Sequence, residues 1–268
     1  MKKKNKKIFY FSILFICILS VLLMILLKNT FSRKDYYIVK SRVTNMKNIR
    51  AMENYGAGSS VVGWLQIQGT DIDYPLIYNT SWTYPVEAKN YAKMTYYTSG
   101  FHNHFEISGH NIFNLSSKPR LRAEEFDKFE ELMSFVYYDF AKENKYIQLT
   151  YEGEEYVYKI FAVGFIPLET AKQYRTIVDF NDDQFDSYLK MLAEYNIYKY
   201  DVNVSKDDKL LSLSTCTRFF GNNDDWRFYV IGRLLRENEK INNYGMKTSR
   251  FYSKIEKILK GDEYNDEI

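Results

Sequence analysis

From Val61 to Leu235 short β-rich runs of hydrophobic residues, bounded by turn residues, dominate the pattern. VVGWLQIQ (61–68) and IDYPLIY (72–78) are short β-rich runs split by the turn Gly69-Thr70-Asp71. FEISGHN (105–111) predicts a third strand ending at Gly109. KYIQLTY (145–151) and EYVYKIFAVGFI (155–166) predict a hairpin about Glu152-Gly153. LLSLSTC (210–216) and RFYVIGRLL (227–235) predict two more strands, joined by FFGNNDDW. Two segments have helical spacing instead. AEEFDKFEELMSF (123–135) gathers Phe126, Phe129, Leu132 and Met133 on one side. DDQFDSYLKMLAEY (182–195) gathers Phe185, Tyr188, Leu189 and Leu192, with Asn181 placed to cap it. The sum is one mainly β domain with a few helices, over about residues 56–236. No internal repeat, low-complexity linker or phosphate-loop signature interrupts it.

The pattern differs at both ends. MKKKNKK (1–7) precedes IFYFSILFICILSVLLMILL (8–27), twenty residues without a charge. That length crosses a hydrocarbon core of about 30 Å as a helix. KNTFSRKDYY offers no small-residue cleavage site after it, so the run reads as an uncleaved anchor. The lysines keep the N-terminus inside and put residues from about 29 onward outside the membrane. Residues 28–55 read as a polar helix or stalk. Residues 237–268 form a charged tail, read as a solvated appendage that can be helical.

Composition refines this picture. The hydrophobic fraction is 46% and the aromatic fraction 18%, ample for a packed core and contrary to disorder. The formal charge of +3 misleads, because six of the 37 basic residues lie in the acid-free residues 1–28. The remaining 31 face 34 acidic residues, about −3. The folded part therefore lacks the basic balance of a nucleic-acid-binding protein.

The chain has two cysteines, Cys17 and Cys216, and Cys17 sits in the predicted span. An extracellular domain usually pairs its cysteines; with Cys17 in the span, no intrachain disulfide is available to Cys216. It is then either a small buried apolar residue or a reactive thiol. A thiol nucleophile needs an imidazole to trade protons with. The histidines are His102, His104 and His110. SGHN ends one predicted strand and STC another, and strand ends present side chains to clefts. Arg227 opens the strand after Cys216 and could offer a fixed positive fork to an oxyanion. Arg218 is its rival, placed in the loop. FHNHFEISGHN also admits a metal-site reading, though without a matching acid or cysteine cluster. A papain-like protease would place its cysteine ahead of its histidine, the reverse of the order here. An inactive surface binding module is a further alternative.

Together these residues resemble the sortase family. LSLSTCTRFFGNNDDWRFYVIGRLL is similar to the sortase strand ending in TLxTC, its loop, and the arginine that opens the last strand. ISGHN resembles the segment carrying the sortase histidine. WLQIQGTDIDYPLIY and DVNVSKDDKLLSLSTC resemble class B members. The resemblance covers about residues 60–236. It implies a closed β-barrel with a few peripheral helices and an N-terminal helix. It implies Cys216 as nucleophile, His110 as acid/base, Arg227 as oxyanion stabiliser, and Ser214 and Thr215 beside the substrate. It implies no cofactor and no metal. The implied reaction is transpeptidation. A secreted protein's C-terminal sorting signal is cleaved at a Thr–Gly-type bond, and the acyl group passes to an amine of peptidoglycan or a pilin lysine. Between Tyr78 and His104 the chain departs from the class B pattern, which leans the expectation toward a dedicated, pilin-type substrate.

Overall fold

The structure is a computed structural model of the 268-residue chain. It describes residues 60–78, 92–94, 102–121, 129–151, 154–175, 177–221 and 225–261. The expected basic segment, membrane span and N-terminal helix lie outside the described residues. Among the described residues, no helix is long and apolar enough to cross a membrane.

The described strands are β1 (Ser60–Ile67), β2 (Asp73–Tyr78), β3 (Ala92–Met94), β4 (His104–Gly109), β5 (Tyr146–Tyr151), β6 (Glu154–Pro167), β7 (Tyr198–Tyr200), β8 (Leu210–Thr217), β9 (Trp226–Leu234) and β10 (Met246–Thr248). Eight of them close a barrel in the order β1-β2-β3-β4-β8-β9-β6-β5, while β7 and β10 pair separately. The expected hairpin is present as β5 and β6, paired antiparallel.

Alternation assigns the faces. Leu211 and Leu213 of β8, Phe228 and Val230 of β9, and Phe105 and Ile107 of β4 join the main buried core. Leu210, Tyr229 and Ile231, of opposite parity, join a second core on the other face. In β6 a bulge between Ile160 and Ala162 shifts the parity. Ile160, Val163 and Phe165 therefore all reach the main core, while Phe161, Ala162 and Ile166 all reach the second. A strict period of two does not anticipate this.

The second core is closed by a helix. Four helices are described: α1 (Tyr138–Glu143), α2 (Leu168–Tyr174), α3 (Asp182–Tyr195) and α4 (Tyr252–Lys260). Asn181 caps α3 as expected, in a capping box with Gln184. Phe185, Tyr188, Met191 and Leu192 are its buried residues, so Met191 is buried where Leu189 was expected. The end of α3 docks against Gly164, where a Cβ would sit 2.2 Å from the Tyr195 carbonyl. Only glycine allows that approach.

Two expectations change. The described part of the segment 123–135 is a 3-10 helix, Glu130–Val136, buried throughout rather than on one side. Its acids serve neighbouring backbone: Glu130 accepts from the amides of Ile112 and Phe113, and Glu131 from that of Asp71. Buried carboxylates with such donors need no solvent face. The tail is not a solvated appendage either. Tyr244, Ile255 and Ile258 are buried, and Tyr244 donates its hydroxyl to the carbonyls of Lys145 and Ile160. Its helix, α4, is amphipathic and buries Ile255 and Ile258.

Candidate active site

Three strand ends converge at one edge of the barrel. Cys216 of β8 is the direct antiparallel partner of Arg227 of β9. Residues so paired share a face, with Cβ atoms about 4.5–5.5 Å apart. On the other side β8 runs parallel to β4, and the last rung pairs Thr215 with Gly109. His110 and Cys216 each follow that last rung by one residue. Local bonds fix the backbone here. Thr215 Oγ1 donates to the Gly109 carbonyl at 2.8 Å. Asn111 Nδ2 donates to the Cys216 carbonyl at 3.0 Å, and the Phe129 amide donates to the His110 carbonyl at 3.0 Å. A Cβ on Gly109 would lie 2.5 Å from Phe129 Cβ, so glycine lets that ring pack under the strand end. His110, Cys216 and Arg227 are each partly exposed. Arg218 is exposed in the loop, away from this pairing.

A groove leads away from Arg227 along the outer face of β4, β8 and β9, walled by α2 and α3. Its polar lining is His104, Glu106, Arg175, Ser212, Ser214 and Arg227. His104 is buried, with Nδ1 2.7 Å from the Ile177 carbonyl and Nε2 2.8 Å from Ser212 Oγ. The carbonyl can only accept, so the network assigns the proton to Nδ1, and the serine donates to Nε2. Burial pushes this imidazole's pKa down and keeps it neutral. Glu106 Oε1 accepts from Arg175 Nε at 3.0 Å, Arg175 Nη2 at 2.9 Å and Ser214 Oγ at 3.0 Å.

Comparison with known proteins identifies the architecture. The Sortase domain family matches residues 65–235, well over half of the chain. The chain belongs to the sortase family. It is similar to sortase B of Staphylococcus aureus, 22% identical over 181 residues, covering 66% of this chain and 70% of that protein. It is also similar to sortase B of Listeria monocytogenes, 26% identical over 200 residues, covering 68% and 70%. The crystal structure of sortase B from the type II pilus of Streptococcus pneumoniae matches its fold with a TM-score of 0.52, at 23% identity, covering 65% of this chain and 91% of that one. These relatives make it a class B-like sortase, from a family whose chemistry is transpeptidation.

Within this sortase domain, the five residues singled out in the sequence fall into two groups. Cys216 and Arg227 are paired across β8 and β9, His110 follows the last rung of β4 and β8, and Ser214 lines the groove. Thr215 is 2% exposed, and its hydroxyl is spent on Gly109. Sequence reasoning passed over Glu106, Asn111 and Arg175, and considered His104 only as a candidate histidine and in the rival metal reading. Alternation in HFEISGHN offered a signal for Glu106, which shares parity with His110. Nothing local pointed to Arg175, which arrives from beyond α2. The rival metal reading loses His104, both of whose ring nitrogens are engaged.

Proposed function

We propose that this chain is a membrane-anchored cysteine transpeptidase that cleaves a C-terminal sorting signal and passes the acyl group to an amine. The thiolate of Cys216 attacks the scissile carbonyl carbon, and Arg227 donates to the oxyanion that forms. The C–N bond then breaks, and His110 gives its proton to the departing amine. The resulting Cys216 thioester is attacked by an acceptor amine, His110 takes the proton back, and the thiolate leaves. Thr215 acts on this chemistry through the backbone, by tying the strand end of Cys216 to that of His110. Ser214 lies on the substrate side.

The observation that carries the reading is register: Cys216 lies opposite Arg227 and one residue beyond the Thr215–Gly109 rung. A preorganised donor beside a nucleophile is what oxyanion stabilisation requires. The apolar run at 8–27 supports an anchor with a cytoplasmic N-terminus and an extracellular domain. The relative from a type II pilus favours a pilin lysine over a peptidoglycan amine as acceptor. The test is turnover of Thr–Gly peptides by the ectodomain with a lysine-bearing or a glycine-type amine present. An acyl-transfer product that requires Cys216 is expected. Products of hydrolysis alone, unaffected by either amine, would contradict transpeptidation. On intact cells, a membrane-impermeant thiol reagent should label Cys216; labelling only after lysis would reverse the topology.

A further inference from the structure

The rungs between β4 and β8 stop at Gly109 and Thr215. The segments that leave those two strands stay joined by other bonds. Asn111 Nδ2 donates to the Cys216 carbonyl at 3.0 Å, and the Arg218 amide donates to the Leu115 carbonyl at 2.9 Å. Asn111 is 5% exposed, and its carboxamide is fully engaged. Nδ2 also donates to the Asn114 carbonyl at 3.0 Å, and Oδ1 accepts from the Asn114 amide at 3.0 Å. A carbonyl can only accept, so the network assigns the nitrogen to the side of Asn114 O and Cys216 O. No other side chain of this length supplies two donors and an acceptor together.

A second layer holds Asn111 in place. Asn114 is buried and binds both backbone groups of Arg120: Oδ1 accepts from the amide at 2.7 Å, and Nδ2 donates to the carbonyl at 3.2 Å. Its Nδ2 also donates to the Glu130 carbonyl at 3.0 Å, while the buried Glu130 carboxylate takes the amides of Ile112 and Phe113. A satisfied buried network of this kind specifies one conformation. It begins at the residue after His110 and ends on the carbonyl of the thiol-bearing residue. Thr215 ties the rung before Cys216, and Asn111 ties the carbonyl of Cys216 itself.

We infer that Asn111 is a positioning residue for acyl transfer, holding the backbone of Cys216 in register with the segment that carries His110; the inference rests on the transpeptidase reading. Asn111 acts through Cys216 rather than on the substrate. Register matters because reacting groups work only in near-attack geometry, and a misplacement of about 1 Å costs about 10²-fold.

The experiment compares the wild-type ectodomain with two variants, using the best-cleaved peptide of a library randomised at the four positions preceding Thr-Gly. Asn111→Asp is nearly isosteric but sets a carboxylate oxygen against the carbonyls of Asn114 and Cys216. Asn111→Ala removes both donors and adds no charge. At neutral pH, kcat per folded molecule should fall about tenfold or more in both, with KM unchanged. Relative to wild type at each pH, the Asn111→Asp deficit should shrink as pH falls, because a protonated carboxyl regains one donor. The Asn111→Ala deficit should not. Alkylation of Cys216 by a small thiol reagent at high pH, where the thiol is ionised in all three proteins, needs no register and should match the wild type. A merely structural Asn111 gives another pattern: a loosened strand end raises KM and speeds alkylation. That pattern overturns the inference, and so does an unchanged kcat or a failure of both variants to fold. If the wild type turns over no peptide and forms no acyl adduct on Cys216, the transpeptidase reading falls and the inference falls with it.

Discussion

Glu239 receives donors on both carboxylate oxygens. Lys159 Nζ and Arg233 Nη2 reach Oε1, each at 2.8 Å, while Arg233 Nη1 at 2.7 Å and the Arg236 amide at 3.1 Å reach Oε2. Glu106 receives three donors on Oε1 and none on Oε2. The partners are alike: an arginine fork and a smaller donor, beside a strand of the barrel. The closed cluster clamps the segment after β9 onto the buried Lys159 and Arg233. The open one lies in a groove that begins at Arg227, opposite the thiol. The two carboxylates differ in what surrounds them: Glu239 is enclosed by donors on both oxygens, whereas Glu106 borders a groove.

If that distinction is right, the groove side and the clamp side should fail in opposite ways. The largest effect is expected at Cys216→Ala: turnover falls to the detection limit while the melting temperature barely moves. One sulfur is lost from a partly exposed strand end, far less than the 2–5 kcal/mol of a buried Leu→Ala change. His110→Ala should be nearly as severe in turnover. Calorimetry beside a peptide assay reads both quantities.

Glu239→Gln should do the reverse. It leaves the buried Arg233 and Lys159 without their counter-charge, at a cost of about 3 kcal/mol, the low end for a broken buried pair because Glu239 is 22% exposed. Turnover per folded molecule should stay unchanged. The Arg233 bonds foremost, aided by Lys159, hold the Glu239 pKa down to about 2 from its ordinary 4.5. The unfolded chain therefore takes up the proton first as pH falls. This contribution is complete above about pH 4.5 and is lost progressively toward pH 2, a slope that Glu239→Gln should flatten.

Arg227→Ala should cost about 10²–10³ in kcat, the worth of one oxyanion donor. Arg227→Lys keeps the charge but loses the planar fork and should also be impaired. Arg218→Ala should stay within a few-fold of the parent, since an exposed charge is worth little. Equal losses at both arginines would erase the argument from register. The smallest effect is expected at Thr215→Val, which removes the donor to the Gly109 carbonyl and should cost about 1–3 kcal/mol. As a positioning residue, Thr215 should lower kcat several-fold with KM unchanged, and Thr215→Ser should restore it.

The barrel was legible because its strands are short β-rich runs bounded by turn residues, and the cap of α3 was legible because Asn181 directly precedes the helical spacing. The pairing of Cys216 with Arg227 was legible through motifs at strand ends. The bulge in β6 was not, because one extra residue leaves no mark in a run as uniformly apolar as KIFAVGF. The burial of Glu130 and Glu131 was not, because their donors come from loops distant in sequence. Arg175 escaped for the same reason: it is 69 residues from Glu106 and meets it only when α2 folds over the sheet. The tail misled because Glu239 and its neighbours read as solvated charge until Arg233 and Lys159 are seen beneath them.

The most direct test of the central claim is the intact mass of the ectodomain after exposure to a library peptide that it cleaves. The account predicts an acyl adduct on Cys216 that disappears when a free amine is added, yielding the amide product, and that never forms in Cys216→Ala. Turnover persisting in a folded Cys216→Ala protein would contradict it, and so would an adduct carried by any other residue.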